Sequence, residues 1–276
     1  MRAQCVLTPL CYLLLAFDPA AAAPTAAPLA IGETFTLQSK TLGETRRINV
    51  YLPPGYTAAA AQRFPVLYMP DGGLAEDFLH VAGLVQVSVG NGTMRPFVLV
   101  GIENTERRRD LTGPTQNEED KKIAPRVGGS ATFRKFLREE LMPDIKARYR
   151  TTDETAIVGE SLAGFFVIET FLLEPSLFDK YIAIDPSLWW NDGSLVKSAA
   201  ELLRIHLEPD RTRPNEALWF ASSGEQRGDW ISRFAAAVQA NAPAGLKWHY
   251  EPLPQEKHST IYHPAALKAF RMVFKP

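Results

Sequence analysis

Cysteine is nearly absent from this sequence. Its 276 residues include two, Cys5 and Cys11, and both lie in the first dozen positions. A chain that loses its N-terminus therefore keeps no thiol, which excludes disulfides, a cysteine nucleophile and zinc–thiolate sites. An excess of charge of one sign is also missing, because 30 Lys and Arg stand against 31 Asp and Glu, for a formal net charge of −1. Without a polycationic balance there is no electrostatic case for nucleic acid or an acidic membrane surface as partner. No repeat, low-complexity tract or interdomain linker interrupts the chain. No cofactor fingerprint and no phosphate-cradling loop stands out, so no cofactor and no metal are expected.

The N-terminus reads differently from the rest. Arg2 is a positive start, Cys5 to Phe17 is an apolar run, and Ala20-Ala21-Ala22-Ala23-Pro24 follows with small residues. This is the three-part layout of a secretory leader, with cleavage expected after Ala23. The apolar run falls short of the roughly 20 residues that span a bilayer. A loose apolar tail or a membrane anchor is the alternative. Residues 1–23 are thus expected to be a signal peptide and residues 24–276 a single domain, periplasmic or secreted, without stable membrane insertion after cleavage. A thiol-free chain suits such an oxidising compartment.

The full sequence is 46% hydrophobic and 22% charged, enough apolar residues for a sizeable core. Phe35–Ser39 and Arg47–Leu52 alternate apolar with polar, the period of half-buried strands, and are expected to pair antiparallel across Gly43. Thereafter short continuous apolar runs appear at Pro65–Met69, Phe97–Ile102, Thr155–Val158, Tyr181–Ile184 and Ala217–Phe220, as in parallel strands buried on both faces. Helical spacing links Phe133, Phe136, Leu137, Leu141 and Ile145, and again Trp230, Ile231, Phe234 and Val238. A last strand, Lys247–Leu253, precedes a helix from about Pro264. Strands alternating with helices predict an α/β fold with a mostly parallel twisted sheet, antiparallel N-terminal strands and helices on both faces. Asn104–Gly129 is polar and unpatterned, and is expected to be an active-site loop or lid.

The strongest chemical signal is Val158-Gly159-Glu160-Ser161-Leu162-Ala163-Gly164, between a buried strand and an apolar helix. A serine at that turn projects its hydroxyl above the sheet edge, and small neighbours let strand and helix approach closely. Ala163 stands where the familiar G-x-S-x-G pattern has its last glycine. An ordinary helix N-cap serine is the alternative. A serine hydroxyl needs a base, which in this chain order follows the last strand. His258, in the polar loop Gln255–Ser259, fits best and His263 is second. His249 lies within a strand, while His80 and His206 fall on helical stretches outside the expected order. The acid that orients the imidazole belongs between serine and histidine. Glu225, just past Ala217–Ser222, is preferred. Asp229, Asp185 and a pair without any acid remain open. The oxyanion hole is assigned to the backbone N–H groups of Gly73 (or Gly72) and Leu162, near the positive end of the helix. Arg107, Arg108 and Arg109 lie on the sheet edge where ligands bind in open α/β folds. Arg109, Asp71, Trp189 and Trp190 are the expected substrate-contacting side chains. A solvated charge run, a plain Asp-Gly turn and core packing of one tryptophan are the alternatives.

Leu67-Tyr68-Met69-Pro70-Asp71-Gly72-Gly73, Arg109-Asp110-Leu111-Thr112, Gly159–Gly164 and Pro186-Ser187-Leu188-Trp189-Trp190 together resemble the esterase D-like family of α/β-hydrolases. That family includes enterochelin and salmochelin esterases, feruloyl esterases, S-formylglutathione hydrolases and mycolyltransferases. The leader and the tryptophan pair are most similar to its periplasmic siderophore-esterase branch. The resemblance implies a metal-free acyl transfer with Ser161 and His258 in the matching positions, and it leaves the acid unsettled. The expected function is hydrolysis of a small-molecule carboxylic ester through an acyl-enzyme, with ferric siderophore trilactones as the preferred substrate. Feruloyl or acetyl ester hydrolysis, acyl transfer, and ligand binding without catalysis are the alternatives.

Overall fold

Alternation at the start of the chain builds the sheet's antiparallel edge. In the computed structural model, which describes residues 26–58, 60–206 and 216–276, β1 (Glu33–Ser39) pairs antiparallel with β2 (Glu44–Tyr51), Phe35 opposite Ile48. The expected leader lies outside the described residues. Residues 26–30 are exposed coil, and residues 31–276 form one compact unit.

The continuous apolar runs become β3 (Phe64–Pro70), β4 (Val98–Ile102), β5 (Thr151–Glu160), β6 (Lys180–Ile184) and β7 (Ala217–Ser223), followed by β8 (Lys247–Leu253). Every residue of β3, β4 and β6 is buried, as two covered faces require. The strand order is β1-β2-β4-β3-β5-β6-β7-β8, with every neighbouring pair from β4 onward parallel. From β3 the chain moves to β4 on one side and then crosses to β5 on the other. Open α/β sheets bind their ligands at the carboxyl ends of the strands near such a reversal.

The helices are α1 (Phe78–Gly90), α2 (Arg107–Leu111), α3 (Glu118–Lys122), α4 (Ser130–Phe136), α5 (Met142–Arg148), α6 (Leu162–Leu173), α7 (Trp190–His206), α8 (Trp230–Asn241) and α9 (Tyr262–Val273). A π-helical turn, Leu137–Leu141, joins α4 to α5. Side chains of α1 and α9 share one core with Leu67, Leu99, Val158 and Ile184. The opposite core gathers α4, α6, α7 and α8. Residues Leu162–Leu172 of α6 are all buried, which explains why that helix is apolar all round rather than amphipathic.

Asn104–Gly129 is not the open lid that its polarity suggests. It contains α2 and α3 and is fastened to the body. The Trp190 indole N–H donates to the Gly113 carbonyl at 2.9 Å, the Asn191 N–H to Asp120 Oδ2 at 2.7 Å, and the fully buried Arg46 pairs with buried Asp110. The polar residues are spent on internal pairs that a sequence cannot display. Asp110→Ala would leave the Arg46 guanidinium buried without its main counter-ion, so urea denaturation should show a loss of about 3–5 kcal/mol.

Candidate active site

Ser161 sits between the last residue of β5 and the first of α6, with φ 60° and ψ −117°. This is a backbone conformation that costs energy for a side-chain-bearing residue and persists only where its surroundings impose it. They do so here. The Ser161 N–H donates to the Ile184 carbonyl at 3.0 Å, and a Cβ on Gly159 would lie 2.6–2.7 Å from Ala163 atoms, so strand and helix close together only over a glycine. The residue is left half-buried at the sheet edge.

His258 reaches that hydroxyl from the loop between β8 and α9, its Nε2 3.1 Å from Ser161 Oγ. Its Nδ1 lies 2.6 Å from Asp185 Oδ2. Asp185 is the residue immediately after β6, the strand beside β5. The same carboxylate accepts the Ser223 N–H and O–H, each at 2.8 Å. With the carboxylate accepting at Nδ1, the network assigns the ring proton there and leaves the Nε2 lone pair toward the serine.

The charges follow from these contacts. Burial opposes ionisation of Asp185, but hydrogen bonds from His258 and Ser223 overcome it and hold the carboxyl below its ordinary range. The hydrogen bond to Asp185, reinforced by the Glu160 carboxylate, raises His258 despite partial burial.

Glu225, the preferred acid, is not on the ring. Its carboxylate accepts the backbone N–H of His258 at 3.3 Å, while its own N–H donates to Ser223 Oγ at 3.2 Å. It holds the loop, and Asp185 holds the imidazole. Asp229 immediately precedes α8 and pairs weakly with Arg233 at 3.9 Å. His263, the second choice of base, instead stacks with His80 across α9 and α1, ring nitrogens 3.0 Å apart. Chain order alone allowed either acid. The adjacency of β5 and β6 in the sheet selects the one after β6.

Of the expected oxyanion donors, Leu162 opens α6, where a backbone N–H has no acceptor within the helix and adds to the positive end of its dipole. Gly73 differs from expectation. Its N–H donates to Glu76 Oε2 at 2.7 Å, and the Gly72 N–H donates to the Ile102 carbonyl at 3.0 Å. A carboxylate three residues onward has capped the loop, and Gly73 becomes a donor to substrate only if Glu76 turns away.

The expected substrate cations are committed elsewhere as well. Arg109 pairs with Glu44 at 2.8 Å and Asp110 at 2.6 Å, and Arg107 clamps both Asp71 oxygens at 2.7 Å. Neither Asp71 nor Arg109 lines the cavity beside Ser161; both tie the Asn104–Gly129 segment down. Trp190 is core, 1% exposed, whereas Trp189 is half-buried and faces a cavity of about 320 Å³ beside Ser161. Arg227 and Trp230 also line it, and the Arg227 guanidinium stacks 4.5 Å from the Trp189 ring. Trp230 is seated on Gly193, whose φ of +67° and missing Cβ leave room for the indole, since a Cβ there would lie 2.2 Å from it. Neither residue could be found from spacing, because their loops meet only through the order of β6 and β7.

Three known proteins are similar to this chain. The ferri-bacillibactin esterase BesA of Bacillus subtilis is 27% identical over 255 residues, covering 84% of this chain and 86% of that one. The siderophore triacetylfusarinine C esterase of Aspergillus fumigatus is 29% identical over 195 residues, covering 64% and 62% of the two chains. Among solved structures, an IroE-like serine hydrolase from Shewanella oneidensis superposes with a TM-score of 0.79 at 27% identity, covering 88% of this chain and 80% of the other. The Putative esterase family model matches residues 39–259, well over half of the sequence, and the chain belongs to that family of esterases.

Proposed function

We propose that this esterase works through an acyl-enzyme on Ser161. The observation that carries the reading is the line Ser161 Oγ–His258 Nε2–Asp185, at 3.1 Å and 2.6 Å. In it, Ser161 Oγ attacks the ester carbonyl while its proton passes to Nε2. The tetrahedral oxyanion forms against the start of α6, where the Leu162 N–H lies. Collapse breaks the ester C–O bond, and the imidazolium returns its proton to the departing alkoxide. Water then repeats the sequence with His258 as base and releases the acid. Incubation with a fluorophosphonate probe should label Ser161 in the folded protein. Absence of labelling in a sample that melts cooperatively would overturn the assignment.

The substrate proposal is a siderophore ester. It rests on the names of the relatives and on the stacked Arg227–Trp189 pair, which offers an aromatic face and a cation to an anionic, ring-bearing acyl group. Arg227→Ala should raise KM for a carboxylate- or catecholate-bearing ester about tenfold or more, the lower end of the ~1.5–3 kcal/mol of a hydrogen bond to a charged group. KM for p-nitrophenyl acetate should stay within about twofold, because that ester carries no charge for the lost cation to meet. Export through residues 1–23 is proposed on the leader's layout, and N-terminal sequencing of protein secreted from its host should begin at Pro24. Among the described residues no helix is long and apolar enough to cross a membrane.

A further inference from the structure

The nucleophile motif carries a carboxylate that the acyl-enzyme route does not use. Glu160 Oε1 lies 3.4 Å from His258 Nε2, the nitrogen that also faces Ser161 Oγ. The Glu160 side chain is 17% exposed, so water screens the pair poorly. Besides His258, the groups that act on Glu160 are Asp77 just before α1, Arg107 from α2 and Asp185 just after β6, with the neutral, buried Tyr262 hydroxyl of α9 nearby. Arg107 is taken by both oxygens of Asp71. The cation nearest Glu160 and still free to answer it is therefore the imidazolium of His258.

Resting on the assignment of Ser161 and His258 as the reacting pair, we propose that Glu160 is a positioning residue acting through His258, its carboxylate stabilising the imidazolium that forms as Ser161 attacks. Two opposed effects follow from one contact. An ionised Glu160 lowers the barrier, because the histidine gains positive charge in the transition state. The same charge favours the imidazolium in the free enzyme, where it removes the base. Burial works against both effects at low pH, since it pushes Glu160 up to about 7; the carboxylate, and with it the pull on His258, is gained as pH rises through that value. Asp77, pushed up to about 6 chiefly by burial, adds negative charge behind it over the same range.

The test is kcat/KM against pH for wild type, Glu160→Gln and Glu160→Asp, with the uncharged ester p-nitrophenyl acetate so that neither substrate ionisation nor Arg227 contributes. Because kcat/KM reports the ionisations of the free enzyme, Glu160→Gln should move the acid limb down by about one pH unit, a tenfold gain relative to its own plateau below the limb. Its plateau should fall roughly three- to thirtyfold, less than the roughly 10²- to 10³-fold lost with a donor that touches the oxyanion, because Glu160 acts through His258. Glu160→Asp keeps the charge and should restore most of the limb position. If Glu160→Gln does not fold, Glu160→Met removes the charge with a different side chain and should give the same shift. A neutral variant whose limb coincides with wild type overturns the proposal, even if its plateau falls, because lost packing alone would lower the curve without moving it. Ser161→Ala and His258→Ala are assayed alongside. If either retains turnover the reacting pair itself fails, whereas if both lose it and the limb is unmoved only the role of Glu160 fails.

Discussion

Ser161→Ala is expected to lower kcat for an activated ester by at least about a thousandfold, the scale on which loss of a serine nucleophile is felt in hydrolases built this way. The melting temperature should not fall. Ser161 adopts φ 60°, and alanine in that conformation is no worse a fit than serine. The hydroxyl's hydrogen-bond partners are His258 Nε2 and Ser187 Oγ, the latter at 3.3 Å, and both groups lie beside the cavity where water can replace it. Circular dichroism with a p-nitrophenyl acetate assay separates the two readouts. Turnover above about a tenth of wild type would remove Ser161 from the chemistry, since the remaining oxyanion donors and binding cannot supply that much.

The second large effect is expected at Asp185. Asp185→Asn keeps the side chain's shape but gives His258 Nδ1 a partner able to donate, so the ring can settle in the tautomer whose Nε2 carries the proton and cannot accept one from serine. The expected loss in kcat is about 10²- to 10⁴-fold, the upper end being what this change costs in a serine protease triad. Glu225→Gln should cost less than about threefold, because the amide oxygen can still accept the His258 backbone N–H. The pH dependence has a definite sign. His258 must be neutral to act, and its contacts place its ionisation above the ordinary 6.5. Activity should thus climb as pH rises through neutrality and fall away on acidification. With Asp185→Asn the remaining acid limb should move to lower pH, because the hydrogen bond to Asp185 is the largest influence raising the histidine. Equal losses at positions 185 and 225 would mean that the loop moves in solution and that Asp185 does not hold the ring.

Much of the architecture could be read from local pattern. The alternating strands at the N-terminus, the buried apolar runs and the final strand Lys247–Leu253 were each legible, because the solvent exposure of a strand's two faces is written directly into residue order. The last helix begins at Tyr262 rather than Pro264, so the proline still falls in the first turn. The serine's setting was legible for a similar reason, since a strand end, a glycine, a small residue and an apolar helix are contiguous. His258 was legible from chain order. The roles of Asp185, Glu160, Arg227 and Trp230 are not written in local pattern, because each acquires its neighbours from a different strand or helix.

Sequence by itself determined the alternation of strands and helices, the strand-to-helix turn that presents Ser161, and the polar loop that carries the histidine. Those depend on residues within a few positions of one another. Tertiary structure alone decided which carboxylate meets the imidazole, that Glu76 occupies the Gly73 N–H, and that Arg107 and Arg109 of α2 serve internal pairs while Arg227 borders the cavity. Each is a competition among charged groups for partners far apart in the chain, and a buried charge settles with whichever partner the sheet order brings within hydrogen-bonding distance.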